Sequence, residues 1–491
     1  MKVIVIGAGF SGLSTATYLA QAGYDVEIIE KHTQPGGRGR QLKRSGFTFD
    51  MGPSWYWMPD VFEKYFADFD KKPEDYYKLL RLDPSYSVFF ENDLLEIPAD
   101  MTGIEALFEK LEPGSSIRLK KFLNDAAYKY KVGIENFVHK PSLSVFEFAD
   151  VRILKGLLKL DLLNNIRSSV KKVVSNPQLQ SLLEFPVLFL GATPSNTPAL
   201  YSLMNHADMS LGTWYPEGGM FSVVQGFYKL ALEKGVKFHF DSEVTGFEYD
   251  NNQVVGVQTL KKKIACDAVV ASADYAHVEQ NLLDPKYRKY SAKYWDKRKL
   301  APSCFLYFVG LSKPIPGVEH HSLFFDASFD DHADALYKNI RWPEKPLFYI
   351  SASSKTDPKS APAGQESLVI LIPTAPGMKD TDEILDHYFE LVSDRLKKHT
   401  GMDIRKHIIF KKQYAFRDFV KDYNSFKGNA YGLANTLDQT AIFKPSLKGK
   451  LKNFYYTGQL TVPGPGVPPC IISGEVVALS LIHISEPTRP Y

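Results

Sequence analysis

The first residues whose spacing could do chemistry are three glycines, Gly7, Gly9 and Gly12, between a short β-branched run and a helical pattern at residues 11–22. A turn from strand into helix leaves backbone N–H groups free to bind a pyrophosphate. The glycines allow, in order, the turn, close approach of the phosphates, and packing of the helix on the strand. Glu30 ends the next β-branched run, 18 residues after Gly12, where it would accept hydrogen bonds from ribose hydroxyls. This order predicts a dinucleotide-binding βαβ unit.

Composition narrows the classes of protein further. The chain has 491 residues, 44% of them hydrophobic, which is enough for two or three structural units around a large core. A formal net charge of +3 argues against a protein that binds nucleic acid through bulk phosphate attraction. Three scattered cysteines, Cys266, Cys304 and Cys470, fit a reducing cytosol and exclude a disulfide framework or a cysteine-built zinc site. The histidines have no ligand spacing with acids or cysteines, so we predict no metal site.

A second glycine pair distinguishes the class of dinucleotide. Gly36 and Gly37 precede Arg38 just after the strand that ends in Glu30, and a hairpin-like segment leads on to DMGP at residues 50–53. The sequence here resembles the FAD-dependent amine oxidase and phytoene desaturase superfamily. In that superfamily a glycine pair with an arginine follows the first βαβ unit, and a D-x-G-P run is typical. The resemblance implies FAD, where the first motif alone leaves NAD and FAD open.

Later blocks extend this resemblance along the chain. They are WYPEGGMFSVVQG at residues 214–226, VKFHFDSEV at residues 236–244 and DAVVASAD at residues 267–274. The segment YYTGQLTVPGPGVPP, residues 455–469, resembles the one with which the superfamily closes over its flavin. It predicts a strand, a loop of close approach, and a helix that starts near Pro468 or Pro469. The positive end of that helix would face the pyrimidine end of the flavin and stabilise its reduced form.

Within the superfamily the resemblance is to the bacterial phytoene desaturases, over nearly the whole chain. One departure lies in the closing segment, where residues 459–462 and Pro469 replace part of the usual G-A-G-T-H-P-G-A-G-I-P-G ending. The resemblance implies FAD contacts along the whole chain, with Val244 beside the adenine. The implied cofactor-binding residues are Gly7, Gly9, Phe10, Ser11, Gly12, Glu30, Lys31, Gly37, Arg38, Met51, Gly52, Pro53, Val244, Gly458, Gln459, Val467 and Pro468.

The fold class that follows is α/β, with a discontinuous Rossmann-type FAD-binding domain similar to that of glutathione reductase. We expect this domain to comprise residues 1–78, 210–286 and 436–478, and a mixed-sheet substrate domain to comprise residues 79–125 and 287–435. Residues 126–209 are expected to form a helical part that faces a membrane. The last residues, LSLIHISEPTRPY at 479–491, break the helical pattern and resemble a translated sequencing adapter. We therefore expect the closing helix to end at Ala478 and a non-native tail to follow.

The implied substrate is phytoene or a similar linear polyene, which has no charge and no heteroatom. Such a molecule needs a long apolar tunnel, for which residues 182–194 and 55–59 are the candidate lining. The implied reaction removes two hydrogens across a C–C bond, a hydride passing to flavin N5 and a proton leaving the adjacent carbon. No second dinucleotide fingerprint is visible, so an external acceptor, oxygen or a quinone, is expected to remove the electrons.

A carboxylate near the flavin could take the proton or stabilise the allylic cation that hydride loss leaves. By position Glu147 is the first candidate for this catalytic role, and Asp150 and Glu184 are lesser ones. For each of the three, a surface or capping role is the more common one, because most carboxylates in proteins are exposed.

A membrane surface is the expected site of action. No secretory signal is visible, and no apolar run approaches the roughly 18 residues that span a bilayer. Residues 151–174 form a basic amphipathic pattern that fits either a membrane interface or a packed core. A hydrocarbon substrate dissolved in lipid favours the interface. We therefore expect a cytoplasmic protein bound peripherally to the inner face of the cell membrane.

Two other functions remain open at this point. A flavin amine oxidase would oxidise a polar amine and release peroxide, but it usually has an aromatic cage that this sequence does not display. Rab GDP dissociation inhibitors resemble this fold, carry prenyl lipids and have abandoned FAD. The intact Glu30, the glycine pair with Arg38 and the closing segment argue against such a carrier.

Overall fold

A five-stranded parallel sheet gathers strands from three distant parts of the chain. The computed structural model describes residues 1–144, 147, 164–188 and 190–485. Neighbouring strands of this sheet lie in the order β19 (Phe454–Tyr456), β13 (Ala268–Ala271), β1 (Lys2–Ile6), β2 (Asp25–Ile29) and β9 (Lys237–His239). Every neighbouring pair is parallel. The predicted βαβ unit is therefore present at the centre of the sheet.

Both faces of this sheet are buried, and successive residues of its strands serve opposite faces. Val3 and Val5 pack with the helices on one side, whereas Ile4 and Ile6 pack against a second, smaller sheet on the other. This alternation follows from the two-residue period of a strand. The smaller sheet is antiparallel and consists of β10 (Val244–Asp250), β11 (Gln253–Thr259) and β12 (Lys263–Ala265).

A seven-stranded sheet forms the second half of the molecule, as the sequence predicts for the substrate part. Its strands lie in the order β18 (Ile408–Tyr414), β14 (Ser303–Leu311), β17 (Glu366–Thr374), β16 (Phe348–Ser351), β15 (His321–Phe324), β6 (Tyr86–Phe89) and β7 (Leu94–Ile97). The pair β15 and β6 is parallel, and the other neighbours are antiparallel. The sheet is therefore mixed.

Two short pairs of strands and a set of helices complete the described chain. The hairpin β3 (Gln41–Arg44) and β4 (Phe47–Asp50) leads into DMGP, and β5 (Leu79–Arg81) pairs with β8 (Trp214–Pro216). The helices are α1 (Phe10–Gln21), α2 (Pro59–Ala67), α3 (Met101–Leu111), α4 (Ser115–Gly133), α5 (Ile166–Val170), α6 (Pro177–Leu188), α7 (Leu203–Asn205), α8 (Met220–Glu233), α9 (Tyr275–His277), α10 (Ala292–Asp296), α11 (Phe329–Tyr337), α12 (Asp382–Thr400), α13 (Phe416–Tyr423) and α14 (Val467–Ser485). Within the described residues, no helix is both long and apolar enough to cross a membrane.

The first and last helices pack directly on each other. Ser14 Oγ donates a hydrogen bond to the carbonyl of Ile471 at 2.8 Å, and Thr15 Oγ1 donates one to the carbonyl of Gly474 at 3.2 Å. A Cβ on Gly474 would lie 2.6 Å from the carbonyl oxygen of Ser11, so this glycine sets the distance between the two helices. The N-terminal and C-terminal segments thus meet beside the sheet.

The end of α14 corrects one expectation. The helix begins at Val467, close to the predicted start, but it continues through Ser485 instead of ending at Ala478. Residues 479–482 extend the apolar pattern, and Leu481 is buried with the core around α1. Residues 486–491 lie outside the described part of the chain.

The contact between α1 and α14 generates a first prediction. Replacement Gly474→Ala should destabilise the protein by about 1–3 kcal/mol, because its Cβ would overlap Ser11 and Ser14. The matched control is Gly133→Ala at the end of α4, where the nearest atom to the new Cβ is 3.8 Å away. That variant should gain up to ~1 kcal/mol from helix propensity. Thermal unfolding of both variants measures the difference, and equal stabilities would contradict a glycine-limited contact.

Candidate functional site

The predicted dinucleotide motif has the close backbone geometry that its glycines suggest. Gly7 has a φ of +99°, which favours glycine, and its N–H donates to the carbonyl of Ile29 at 2.8 Å. A Cβ on Gly12 would lie 2.0 Å from the carbonyl oxygen of Gly7. Glycine at position 12 is therefore required for α1 to start directly against the turn.

Gly9 faces open space, in contrast to its neighbours. It caps α1 in an extended conformation, and among the described residues no side chain caps this helix and no atom lies within 4 Å of a Cβ built on Gly9. Uncapped N–H groups and the positive end of the helix dipole form a binding site for phosphates. The cradle therefore fits the pyrophosphate of FAD.

Glu30 is held at the end of β2 with only 5% of its surface exposed. Its carboxylate accepts N–H groups from Ala8 at 2.8 Å and from His32 at 2.9 Å. The carboxylate is thus fixed next to the glycine turn, where a ribose would lie. Lys31, predicted to contact the cofactor, donates instead to the carbonyl of Lys421 at 3.0 Å and lies 3.5 Å from Glu243.

Val244 starts β10 and is buried in the core behind β2. The N–H of Ser242, two residues before it, donates to the carbonyl of Glu30 at 2.9 Å. The chain segment of Val244 is therefore attached to the residue predicted to bind the ribose, as the prediction of an adenine contact requires.

The second glycine pair lies against the first motif. The N–H of Gly36 donates to the carbonyl of Ala8 at 2.7 Å, and a Cβ on Gly37 would lie 3.3 Å from the Cα of Gly9. Arg38 extends from this turn, and its Nη2 donates to Ser425 Oγ at 3.1 Å and to the carbonyl of Asn429 at 3.2 Å. Its Nε is buried without a partner among the described residues, so this N–H remains available to a ligand.

The DMGP segment supports both the arginine and a second helix. A Cβ on Gly52 would lie 2.4 Å from the carbonyl oxygen of Arg38, and the N–H of Met51 donates to the carbonyl of Arg40 at 2.9 Å. Asp50 accepts the N–H groups of Met220 and Phe221 and so caps α8. Burial raises the pKa of Asp50 to about 7. The neighbouring Pro53 is partly buried.

The closing segment contacts the start of α1 through a second set of glycines. Gly458 has a φ of +108°, its N–H donates to Ser473 Oγ at 2.9 Å, and its Cβ position is 3.0 Å from Ser11 Oγ. Gln459 follows, and a Cβ on Gly432 would lie 2.7 Å from its carbonyl oxygen. The structure thus places Phe10 and Ser11 at the start of α1 near the loop that leads to Val467 and Pro468 in the first turn of α14.

The predicted acids have structural contacts. Glu147 accepts the N–H groups of Ser142, Leu143 and Ser144 at 2.8 to 2.9 Å. Glu184 is buried and forms a two-pronged ion pair with Arg167, at 3.0 and 2.8 Å. Asp150 and residues 151–163 of the basic amphipathic pattern lie outside the described residues. The catalytic role of Glu147 stays a prediction.

Aromatic side chains cover the seven-stranded sheet where the substrate is expected. The ring of Trp55 stacks on His321 with 4.1 Å between centroids, and His321 Nδ1 shares a 2.6 Å hydrogen bond with the hydroxyl of Tyr349. An apolar cavity of about 30 Å³ lies beside Tyr349 and is also lined by Phe185 and Leu188. This volume holds about one water molecule, so a passage long enough for a polyene stays a prediction.

Sequence reasoning missed three groups at the site. Ser425 and Asn429 hold Arg38 from a loop nearly 400 residues later in the chain, and no local motif indicates this contact. Lys444 is 5% exposed beside the closing segment, although a lysine in a polar stretch normally predicts a solvent-facing residue.

Among the described residues, no group of three or more His, Cys, Asp or Glu side chains could hold a metal ion.

The open space above Gly9 generates a prediction about the flavin nucleotide that the resemblance implies. In Gly9→Ala the new methyl meets no protein atom, so the melting temperature of the FAD-free protein should stay unchanged. The same methyl would occupy the phosphate position, so FAD affinity should fall roughly 10- to 100-fold, as expected for overpacking by about 1–3 kcal/mol. Fluorescence titration with FAD measures this. Gly12→Ala is the contrasting variant, and it should lower the stability of the FAD-free protein. A wild-type affinity of Gly9→Ala for FAD would contradict the assignment of Gly9 to the phosphate site.

Comparison with known proteins agrees with this geometry. Residues 10–482 match the family model described as flavin containing amine oxidoreductase. The chain is 40% identical to a carotenoid 3,4-desaturase of Haloarcula japonica, with 98% of each chain covered. It is 29% identical to a zeta-carotene-forming phytoene desaturase of Myxococcus xanthus, covering 98% of this chain and 94% of that one. An engineered putrescine oxidase has the same fold, with a TM-score of 0.64 at 12% identity over 98% and 99% of the two chains. The resemblance to the phytoene desaturase group is thereby confirmed, and the chain belongs to the flavin-containing amine oxidoreductases as an FAD-dependent carotenoid desaturase.

Proposed function

We propose that this enzyme desaturates phytoene or a similar linear isoprenoid polyene. The reacting group is a saturated C–C bond that is flanked by double bonds. The observation that carries the proposal is the similarity to a carotenoid 3,4-desaturase over 98% of both chains. The cradle formed by both ends of the chain supports it, because FAD-dependent dehydrogenation needs a firmly held flavin. The putrescine oxidase likeness supports the fold alone, so amine oxidation has no support of its own here.

Bound FAD supplies the redox chemistry by accepting a hydride at N5, and the protein supplies position and charge. Gly9 and the first turn of α1 would hold the pyrophosphate, and Glu30 the ribose. Arg38 would donate from its free Nε. The first turn of α14 would place positive dipole charge at the pyrimidine end. A proton leaves the carbon next to the one that loses the hydride.

The substrate side is built to exclude water from an uncharged molecule. Trp55, His321 and Tyr349 form one stacked and hydrogen-bonded group at the edge of the apolar cavity. Burial holds the pKa of His321 well below its usual range, so the imidazole is neutral at neutral pH. Apolar and neutral aromatic walls favour a hydrocarbon over an amine, which would arrive as a cation.

The environment of the enzyme completes the proposal. Its substrate would enter from lipid, which requires a peripheral contact with the inner face of the cell membrane, and oxygen or a quinone would reoxidise the flavin. We propose three functional parts. The FAD-binding domain is discontinuous and comprises residues 1–78, 210–286 and 436–478. The substrate domain comprises residues 79–125 and 287–435, and the helical part comprises residues 126–209. Residues 479–491 remain the proposed non-native tail, of which the stretch to Ser485 is helical.

Product formation in cells tests the proposed reaction. Expression together with a phytoene source should yield a coloured polyene, and the Gly9→Ala variant should yield little because it folds but holds FAD poorly. Chromatography of extracted pigments with absorption spectra identifies the product and counts the new double bonds. Supplying partly conjugated carotenoids in parallel separates a phytoene desaturase from an enzyme that extends an existing chromophore. Peroxide release from amines without any new pigment would contradict the proposal.

Replacement Glu147→Gln distinguishes the two roles left open for this residue, that of proton acceptor and that of a capping carboxylate, and its three N–H contacts favour the second. Because the carboxylate already accepts three N–H groups, we expect pigment formation within about threefold of wild type and a loss of about 1 kcal/mol in stability. The control is Glu112→Gln, because Glu112 likewise accepts backbone N–H groups, from Ser175 at 2.7 Å and Asn176 at 2.8 Å, and its replacement should affect stability alone. A loss of more than a hundredfold in turnover at unchanged melting temperature would instead assign the proton to Glu147.

A further inference from the structure

Lys444 is a buried lysine with no carboxylate partner in the part of the chain that the structure describes. Its side chain is enclosed, with 5% exposure, and its ammonium nitrogen donates to Asn435 Oδ1 at 3.0 Å. Among the described residues no acidic group contributes to its electrostatic environment, and desolvation alone lowers its pKa to about 7. A buried lysine that is not paired reduces stability, because its charged form must leave water. Such a cost is typical of a functional position.

The position of Lys444 connects it to the flavin site. A Cβ on Gly464 would lie 3.2 Å from Lys444 Nζ and 3.0 Å from Asn435 Oδ1, and Gly464 has a φ of +141° that favours glycine. Gly464 belongs to the flavin loop, defined here as residues 458–466. Thr461 of the same loop donates to the carbonyl of Pro445 at 2.6 Å, next to Lys444 along the chain.

Asn435, the hydrogen-bond partner of Lys444, and its neighbour Ala434 also contact the predicted substrate wall. The N–H of Asn435 donates to the carbonyl of Leu190 at 2.7 Å, and a Cβ on Gly191 would lie 2.6 Å from that of Ala434. Lys444 therefore lies between the flavin loop and the segment at residues 182–194. Neither the flavin loop nor residues 188–194 contain an ionisable side chain, and Asp438, the nearest acid along the chain, is paired with Lys299 at 2.9 Å.

We propose that Lys444 takes up a proton when the flavin is reduced. The resulting ammonium balances the negative charge of the reduced ring, so Lys444 acts on the flavin through its charge and not as a catalytic residue. The inference rests on FAD binding by the family but not on the identity of the substrate. In the balance, desaturation gives the flavin one hydride and releases one proton, and the amine of Lys444 binds one proton to become an ammonium. Reoxidation passes the hydride equivalent to oxygen or a quinone, and the proton leaves the ammonium of Lys444 to complete hydrogen peroxide or the hydroquinone, which restores the neutral amine.

Physical reasons favour a lysine in this role. Among the described residues no carboxylate stabilises the ammonium while the flavin is oxidised, so the amine and ammonium forms are close in free energy near neutral pH. A new negative charge in a desolvated site raises the pKa of a neighbouring lysine strongly, because the low dielectric strengthens their attraction. An arginine would stay charged in both states and would not respond.

The test is the pH dependence of the two-electron reduction potential of the purified, FAD-loaded protein, measured against reference dyes without substrate. Between pH 7.5 and 9 the wild type should bind one proton more on reduction than Lys444→Met does. For each pH unit, the reduction equilibrium constant of the wild type should therefore change tenfold more than that of Lys444→Met. This difference equals about 30 mV per pH unit in the potential of a two-electron couple. Lys444→Arg should show the shallow slope of the Met variant at a higher potential.

Two further variants keep this test decisive. Lys129→Met is the matched control, because Lys129 is equally buried but paired with Asp125 at 2.7 Å, and its slope should equal that of wild type. If Lys444→Met loses FAD, Asn435→Asp supplies the missing carboxylate and should fix the ammonium in both states, with a shallow slope. Equal slopes in wild type, Lys444→Met and Lys444→Arg, or in wild type and Asn435→Asp, would overturn the proposal. Pigment formation by wild type would still stand in that case, so the two proposals fail separately.

Discussion

The contact between α1 and α14 is the constraint on which the cofactor site depends. Gly474 allows the two helices to approach until the hydroxyls of Ser14 and Thr15 bond to carbonyls of α14. This approach carries the flavin loop to Ser11, and with it the first turn of the closing helix. A site made in this way forms only when the whole chain has folded, because its two halves are separated by more than 400 residues. Flavin binding and global stability are consequently linked.

The sequence was sufficient for the local part of this site. The βαβ unit and the placement of Glu30 follow from short-range rules on glycine turns and strand ends, whereas the second glycine pair was expected from the family resemblance. The closing strand and helix, and the mixed character of the second sheet, were also predictable. These features depend on neighbours in sequence or on motifs whose residue types leave few alternatives.

Long-range and desolvation effects were not predictable in the same way. The bonds of Arg38 to Ser425 and Asn429 cross the boundary between the predicted domains, and no pattern at residues 425–429 indicates a partner. The burial of Lys444 depends on how three segments pack, whereas a lysine in a polar stretch is normally expected at the surface. The predicted end of α14 at Ala478 was wrong because the helix follows apolar residues such as Leu481 into the core, irrespective of the change in sequence character.

The distribution of charge separates the two halves of the site. The proposed nucleotide site contains Glu30 and Arg38, whereas the proposed substrate wall around Trp55 and Tyr349 presents aromatic rings and imidazoles. Burial lowers the pKa of His320 to about 3 and that of His321 further, so neither adds charge at neutral pH. In the proposed reaction a polyene that loses a hydride becomes cationic for a moment, and neutral aromatic rings would stabilise such a cation without attracting cations from solvent. A fixed carboxylate lining this wall would bind amines, so neutral rings would favour a hydrocarbon under the proposed function.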